Sequence, residues 1–171
     1  MASPVGPVPL DASHRLEGFD CEVDSLNNWL VRHARRADAA GSARTYVVAL
    51  PGHDQVVGYH ALTVATISHQ DASPRAGKAM PQHPIPAVLL ARLAADREFQ
   101  GKGVGALLLG DALRRSLSVA ETAGIRLLLV HASDESVRAF YLKFGFEPSP
   151  TDPMNLQLLI KDIRQSLDLS G

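Results

Sequence analysis

Gln100-Gly101-Lys102-Gly103-Val104-Gly105 lies between an apolar run and a long helical pattern, and its reading decides the fold. The run before it, Ala87 to Ala94, reads as a buried strand; Ala106 to Ala123 reads as a helix. Three glycines at alternate positions let successive backbone N–H groups turn outward at the mouth of that helix. The positive end of the helix dipole adds to the pull on an anion. The stretch therefore reads as a pyrophosphate cradle.

More than one phosphate ligand fits such a cradle. Gly101, Gly103 and Ala106 match the dinucleotide pattern G-x-G-x-x-G/A. That reading requires an acidic residue about 20 positions on, at the end of the next strand, to hold a ribose. The next strand, Ile125 to Val130, ends at His131, and Asp134 comes too late. A dinucleotide fold also needs several further βαβ units, whereas this loop begins past mid-chain. A Walker A loop is excluded because no Gly-Lys-Ser/Thr follows.

With 171 residues and 46% hydrophobic content, the chain can build one domain, residues 1–171, with a proper core. The formal charge of −1 makes any nucleic-acid contact local. The single cysteine, Cys21, excludes a disulfide framework and cysteine-based zinc sites; no metal site is expected. The N-terminus lacks the order of a signal peptide and no stretch spans a membrane, so a cytoplasmic protein is expected.

Residues 1–10 read as extended. Asp24 is a good N-cap for a helix running to about Ala37. Arg44–Leu50 and Val56–Ile67 form a hairpin around Pro51-Gly52-His53-Asp54-Gln55. Ser68 to Pro86 carries four prolines and little pattern, and reads as a long loop. Asn155–Lys161 alternates as a strand, and residues 165–171 suggest a short helix or frayed tail. The order fits an α/β fold with a mixed, mostly antiparallel central sheet flanked by helices.

Gln100-x-x-Gly103-x-Gly105, after a strand and before a helix, resembles the acyl-CoA loop of the GNAT N-acetyltransferases. The helix of Ser136 to Lys143, with Phe140-Tyr141 and then Gly145-Phe146, is similar to that family's second cofactor motif. Five further segments resemble the TacT-type GNAT toxins of type II toxin–antitoxin systems. They are Phe19-Asp20-Cys21 before Leu26-Asn27-Asn28-Trp29-Leu30, Ala43 to Val47, Val57-Gly58-Tyr59, Ile85-Pro86 with Arg92-Leu93-Ala94, and Phe146 to Pro150. The resemblance implies acetyl-CoA as cosubstrate and the α-amino group of aminoacyl-tRNA as acceptor, with a block of translation as outcome. It also implies a small ribbon–helix–helix-type antitoxin and a homodimer.

On the same resemblance, Leu93, Ala94 and Ala95 offer backbone groups to the pantetheine. Gln100, Gly101, Lys102, Gly103, Val104 and Gly105 hold the phosphates, and Ser136 and Phe140 complete the cofactor site. Tyr141 is then the general acid toward the departing thiolate. Periodicity alone reads Val137, Phe140, Tyr141 and Phe144 as an ordinary core stripe, so the two readings of Tyr141 stand side by side. No base stands out among Asp96, Glu98, His60 and His131. An α-amine, with a pKa of about 7.7–8, hardly needs one near neutral pH, unlike lysine at about 10.4. This favours an α-amine acceptor.

On a helical wheel, Leu26, Trp29, Leu30, His33, Ala34 and Ala37 share one arc, and Arg32, Arg35 and Arg36 gather opposite. Arg44 lies just beyond, with only Asp38 to offset the four. Arg75, Lys78 and Arg92 add positive charge around the long loop. A solvated face is one reading; a phosphate-binding surface for tRNA, made of Arg32, Arg35, Arg36, Arg44 and Arg92, is the other. The competing functions are an N-acetyltransferase for a small amine or protein, and a non-catalytic acyl-CoA-binding module.

Overall fold

The computed structural model describes residues 3–170. The strands are β1 (Val5–Pro9), β2 (Arg44–Ala49), β3 (Val56–Ile67), β4 (Ile85–Ala95), β5 (Leu127–His131), β6 (Glu147–Pro148) and β7 (Asn155–Leu159). The helices are α1 (Asp24–Arg32), α2 (Ala34–Ala40), α3 (Pro74–Gly77), α4 (Val104–Thr122), α5 (Glu135–Lys143) and α6 (Ile160–Ser170). Seven strands form one sheet in the order β1-β2-β3-β4-β5-β7-β6. The β1/β2, β2/β3, β5/β7 and β6/β7 pairs are antiparallel. This is the mixed, mostly antiparallel α/β sheet that the element order predicted. No helix among the described residues is long and apolar enough to cross a membrane.

Two compact units make up the chain: residues up to Thr63 with Leu90–Ala112, and Val64–Leu89 with the residues from Leu113 onward. In the first unit the sheet carries apolar groups on both faces. Leu16, Phe19, Leu30, Ala34, Val47, Tyr59 and Ala94 form one cluster, with Trp29 packed against it. Val48, Val57, Val104 and Leu108 form the other, with Leu93 and Ala95 against it. Alternate residues of β4 thus point to opposite faces, as a strand requires: Arg92 and Ala94 share the parity that meets α1, Leu93 and Ala95 the parity that meets α4. A bulge in β3 skips Val57 in the register, with Val48 opposite Gly58 and Ala49 opposite Val56. Gly58 then faces α4 so closely that a Cβ there would lie 2.7 Å from Val104 Cγ1 and 3.2 Å from Leu108 Cδ1. A side chain at this position would push the first turns of α4 away.

The predicted helix from Asp24 to Ala37 is instead two helices, broken at His33 (φ −123°, ψ −25°). The hydrogen bonds from His33 N–H to the Trp29 carbonyl and from Ala37 N–H to the His33 carbonyl survive the break. That is why the apolar periodicity runs through it, with Leu30 and Ala34 both buried while His33 is exposed. The N-cap is Val23 rather than Asp24; Asp24 lies in the first turn, where its charge suits the helix dipole.

In the second unit, the segment read as a long loop carries α3 and then β4 from Ile85. Ser73 caps α3 by accepting the Ala76 N–H, and its own N–H donates to Gln157 Oε1 at 2.8 Å. Thr151 donates to Asp71 Oδ1 and Ser149 to the Asp71 carbonyl. With Ser68, Thr151 holds the Asp71 carboxyl below its usual range. The Arg126 guanidinium donates to the carbonyls of Ala76, Arg75 and Lys78. At the C-terminal end, β7 stops at Leu159 rather than Lys161, because α6 begins directly at Ile160. Residues 3–10 include β1, so the extended start is in fact a paired strand; the expectations for residues 1, 2 and 171 lie outside the described residues.

Candidate active site

The glycine loop belongs to the first unit. Asp96 directly follows β4, and its N–H donates to the Val57 carbonyl at 2.8 Å. Its carboxylate accepts from the N–H groups of Asp20 and Glu98, both at 3.0 Å, and so caps the single 3-10 turn Arg97–Phe99. The Gln100 side chain turns inward, donating to the carbonyls of Ala95 (3.0 Å) and Cys21 (3.4 Å). The loop is thus braced by the Gln100 amide nitrogen, while the residue itself remains exposed. Gly101 and Gly103 adopt φ of 74° and 86°, values that glycine takes without steric cost. Nothing lies within 4 Å of where a Cβ would stand on either. The space over the loop is open, and α4 follows at Val104 with its first-turn N–H groups lacking i−4 acceptors. The exposed Lys102 ammonium lies over the Phe99 ring at 5.4 Å from its centre. Backbone donors, a helix N-terminus and one cation fit a pyrophosphate.

Beside the loop, a cavity of about 260 Å³ is lined by Asp20, Val57, Asp96, Arg97, Glu98 and Phe99 among others. Asp96 is engaged as a clip, and Arg97 stands 3.9 Å from Asp20. His60 is fully buried, bonded through Nε2 to Asp111 at 2.8 Å and stacked on Tyr46. These surroundings give Asp96 and His60 structural work.

The arginines divide into two groups. Arg35 donates to the His14 carbonyl at 2.5 Å, and Arg44 to the Asp38 carbonyl and carboxylate. Both are exposed but tied to their own unit. Arg32 and Arg36 are exposed and make no ion pair or hydrogen bond among the described residues. Arg92 is half-buried, its guanidinium carbon 4.3 Å from the centre of the Trp29 ring. Trp29 stacks in turn on Tyr59, with ring centres 6.0 Å apart and planes within 11°. The Tyr59 hydroxyl donates to the Leu26 carbonyl at 2.7 Å, and Phe19 meets its ring edge-on. This column was not foreseen, although an arginine inside an otherwise apolar strand was a signal for it. In the second unit, Arg75 is taken up by Glu147 and Asp162 at 2.9–3.0 Å, so it adds no free positive charge around the loop.

Tyr141 lies in the second unit, on α5. Asp134 caps that helix by accepting the Val137 N–H and the Ser136 hydroxyl, contacts that hold its carboxyl below the usual range. Ser136 is part of this cap. The Tyr141 ring packs against Phe140 and Phe146, and the residue is 4% exposed. Its hydroxyl has no hydrogen-bond partner among the described residues. Burial pushes the phenol above its ordinary pKa. His131, at the end of β5, holds Nδ1 2.6 Å from Asn155 Oδ1.

The acetyltransferase (GNAT) domain family matches residues 41–148. A tRNA-acetylating toxin of Mycobacterium tuberculosis is 43% identical over 85% of this chain and 86% of its own length. The structure of AtaT complexed with acetyl-methionyl-tRNAfMet superposes with a TM-score of 0.85 at 32% identity, covering 92% of this chain and 94% of that one. A tyrosine-to-phenylalanine mutant of AtaT, bound to acetyl-CoA and the C-terminus of the antitoxin AtaR, gives a TM-score of 0.79 at 29% identity and 96% coverage of both chains. The glycine cradle at the mouth of α4, the sheet that leads into it and these likenesses agree: the chain belongs to the GNAT acetyltransferase family.

Proposed function

We propose that the protein is a toxin that transfers acetyl from acetyl-CoA to the α-amino group of aminoacyl-tRNA and so blocks translation. The observation that carries this reading is Tyr141, a buried ring whose hydroxyl is left uncommitted. Its proton is retained across the physiological range. The 43% identity to a tRNA-acetylating toxin supports the acceptor class.

Acetyl-CoA supplies the acyl group already activated as a thioester. The loop of Gly101 to Gly105 holds the phosphates through backbone N–H groups, with Lys102 beside them. Leu93, Ala94 and Ala95 run along the pantetheine and offer it backbone groups; the Ala95 carbonyl already accepts from Gln100. The neutral amine forms a bond to the acetyl carbon, the carbon–sulfur bond breaks, the amine releases a proton to solvent and the sulfur gains one. An ordinary thiol ionises near 8.5 and a phenol near 10, and burial moves Tyr141 further up. Its part is therefore to hold a hydrogen bond on the sulfur as charge develops there; a proton it passes to the sulfur is replaced from solvent, which restores the neutral phenol. Phe140 packs on the Tyr141 ring and fixes its direction.

On the acceptor side, Arg32, Arg36 and Arg92 are the free cations for the tRNA backbone; Arg35 and Arg44 contribute field while bonded elsewhere. A cytoplasmic location, a homodimer and neutralisation by a ribbon–helix–helix-type antitoxin complete the proposal; the antitoxin-bound AtaT structure supports an antitoxin partner. The test is transfer of labelled acetyl from acetyl-CoA to a charged bulk tRNA pool, with deacylated tRNA as control. Label on the amino acid of charged tRNA alone is the expected result. Label on a polyamine or protein instead would reassign the acceptor, and acetyl-CoA binding without transfer to any amine would reduce the protein to a binding module.

A further inference from the structure

The column Arg92–Trp29–Tyr59 has more order than a phosphate contact needs. A lysine binds phosphate as a point charge and an arginine as a planar fork, and neither needs an aromatic support to do so. Here the guanidinium is laid on an indole, and the indole is fixed from below by a tyrosine that is itself fully buried and bonded to Leu26. The planar guanidinium sits over the ring with its carbon 4.3 Å from the centre, Arg92 is only half-buried, and no carboxylate among the described residues neutralises it. Such a plane stacks well on an unpaired base and combines cation–π attraction with a preset orientation. Arg32 follows Trp29 by three residues on α1, at the border of the charged arc that adjoins Trp29, exposed and unpaired among the described residues. Base platform and phosphate cation thus occupy adjoining positions in the first unit.

We propose that Arg92, layered on Trp29, is the stacking platform for the unpaired 3′-terminal adenine of the tRNA acceptor end, with Arg32 taking a nearby phosphate. This rests on the aminoacyl-tRNA reading and specifies how that substrate is held. The platform recognises a base that every tRNA carries, so it anchors the end without selecting the amino acid.

Trp29 is the only tryptophan of the chain, so its fluorescence reports on the column directly. The full chain is titrated with a single-stranded RNA trinucleotide ending in CCA, and with the same trinucleotide lacking the terminal base. The intact probe is expected to perturb Trp29 and to bind at least about fivefold more tightly than the abasic one. Arg92→Lys keeps the charge and loses the plane; it should abolish that preference while leaving the salt dependence close to wild type. Arg32→Gln should weaken both probes alike and lower the salt slope by about one. Equal binding of the two probes by the wild type, or an undiminished preference in Arg92→Lys, overturns the platform. Acetylation of charged tRNA is measured on the same preparations. Transfer to charged tRNA with no base preference removes the platform and leaves the function standing; no transfer by the wild type removes the function itself.

Discussion

Tyr59 and Tyr141 are both buried phenols whose pKa burial drives up, yet their hydroxyls have opposite fates. Tyr59 is sealed, 0% exposed, and donates at 2.7 Å to the Leu26 carbonyl between an indole and a phenylalanine. Tyr141 has the same kind of aromatic cage from Phe140 and Phe146, and its hydroxyl is bonded to nothing among the described residues. The Tyr141 oxygen is not among the buried polar atoms left without a partner, so it keeps access to solvent. A phenol held firmly by its ring, with its oxygen accessible and uncommitted, is placed to receive a ligand. Burial and pKa alone do not separate the two residues; the disposition of one oxygen does.

The sharpest way to break this contrast is to remove each hydroxyl in turn. Tyr141→Phe should lower kcat by about 10²-fold or more and leave acetyl-CoA affinity within error, since the ring packing survives. Tyr59→Phe should leave kcat nearly unchanged and cost about 1 kcal/mol of folding stability, the net worth of one buried hydrogen bond. Steady-state kinetics, calorimetric acetyl-CoA titration and denaturant unfolding separate the cases. Full activity in Tyr141→Phe would make it a second Tyr59, a packing residue.

A second pair of positions sets the cradle against its support. Gly103→Asp brings a negative charge to the open face of the loop and should abolish detectable acetyl-CoA binding. Gly103→Ala meets no protein atom, only an unfavourable φ, and should fold with a loss of about 1–2 kcal/mol and weakened binding. Gly58→Val acts from below through Val104 and Leu108. It should lower both stability and acetyl-CoA affinity, although residue 58 itself would bear on no ligand. Unchanged affinity in Gly58→Val would mean that α4 settles back without disturbing the loop.

These positions differ in how far the sequence disclosed them. Gly101 and Gly103 were legible because backbone conformation is a local property and glycine announces it. The strands and helices around the loop followed from periodicity, which the core enforces residue by residue. The break at His33 was hidden because the hydrogen bonds across it persist, so the apolar spacing does not change. Gly58 entered only as part of a segment that resembles a family; its packing role was hidden, since that depends on a bulge and on a helix some fifty residues later. The arginine face was read correctly as charge and too simply as surface: Arg35, Arg44 and Arg75 are bound by carbonyls and carboxylates that only the fold brings near. Trp29 and Arg92, 63 positions apart, meet for the same reason.

The smallest effect is in alkaline stability, and it tests the two phenols without any ligand. Each has a folded pKa above the ordinary value of 10.0, so its contribution is complete below pH 10 and is lost as pH rises through the folded value. The Cys21 thiol, raised by burial from 9.0, acts with the same sign and starts lower. The urea midpoint should therefore hold steady to about pH 9 and fall progressively above pH 10. Replacing either tyrosine by phenylalanine removes one of these ionisations and should flatten the decline. Tyr59→Phe begins from a lower midpoint because it has also lost its bond to Leu26; Tyr141→Phe, whose hydroxyl contributes no bond, should begin near the wild-type midpoint. A marked loss of neutral-pH stability in Tyr141→Phe would reveal that its hydroxyl is engaged after all, and the contrast between the two tyrosines would fall with it.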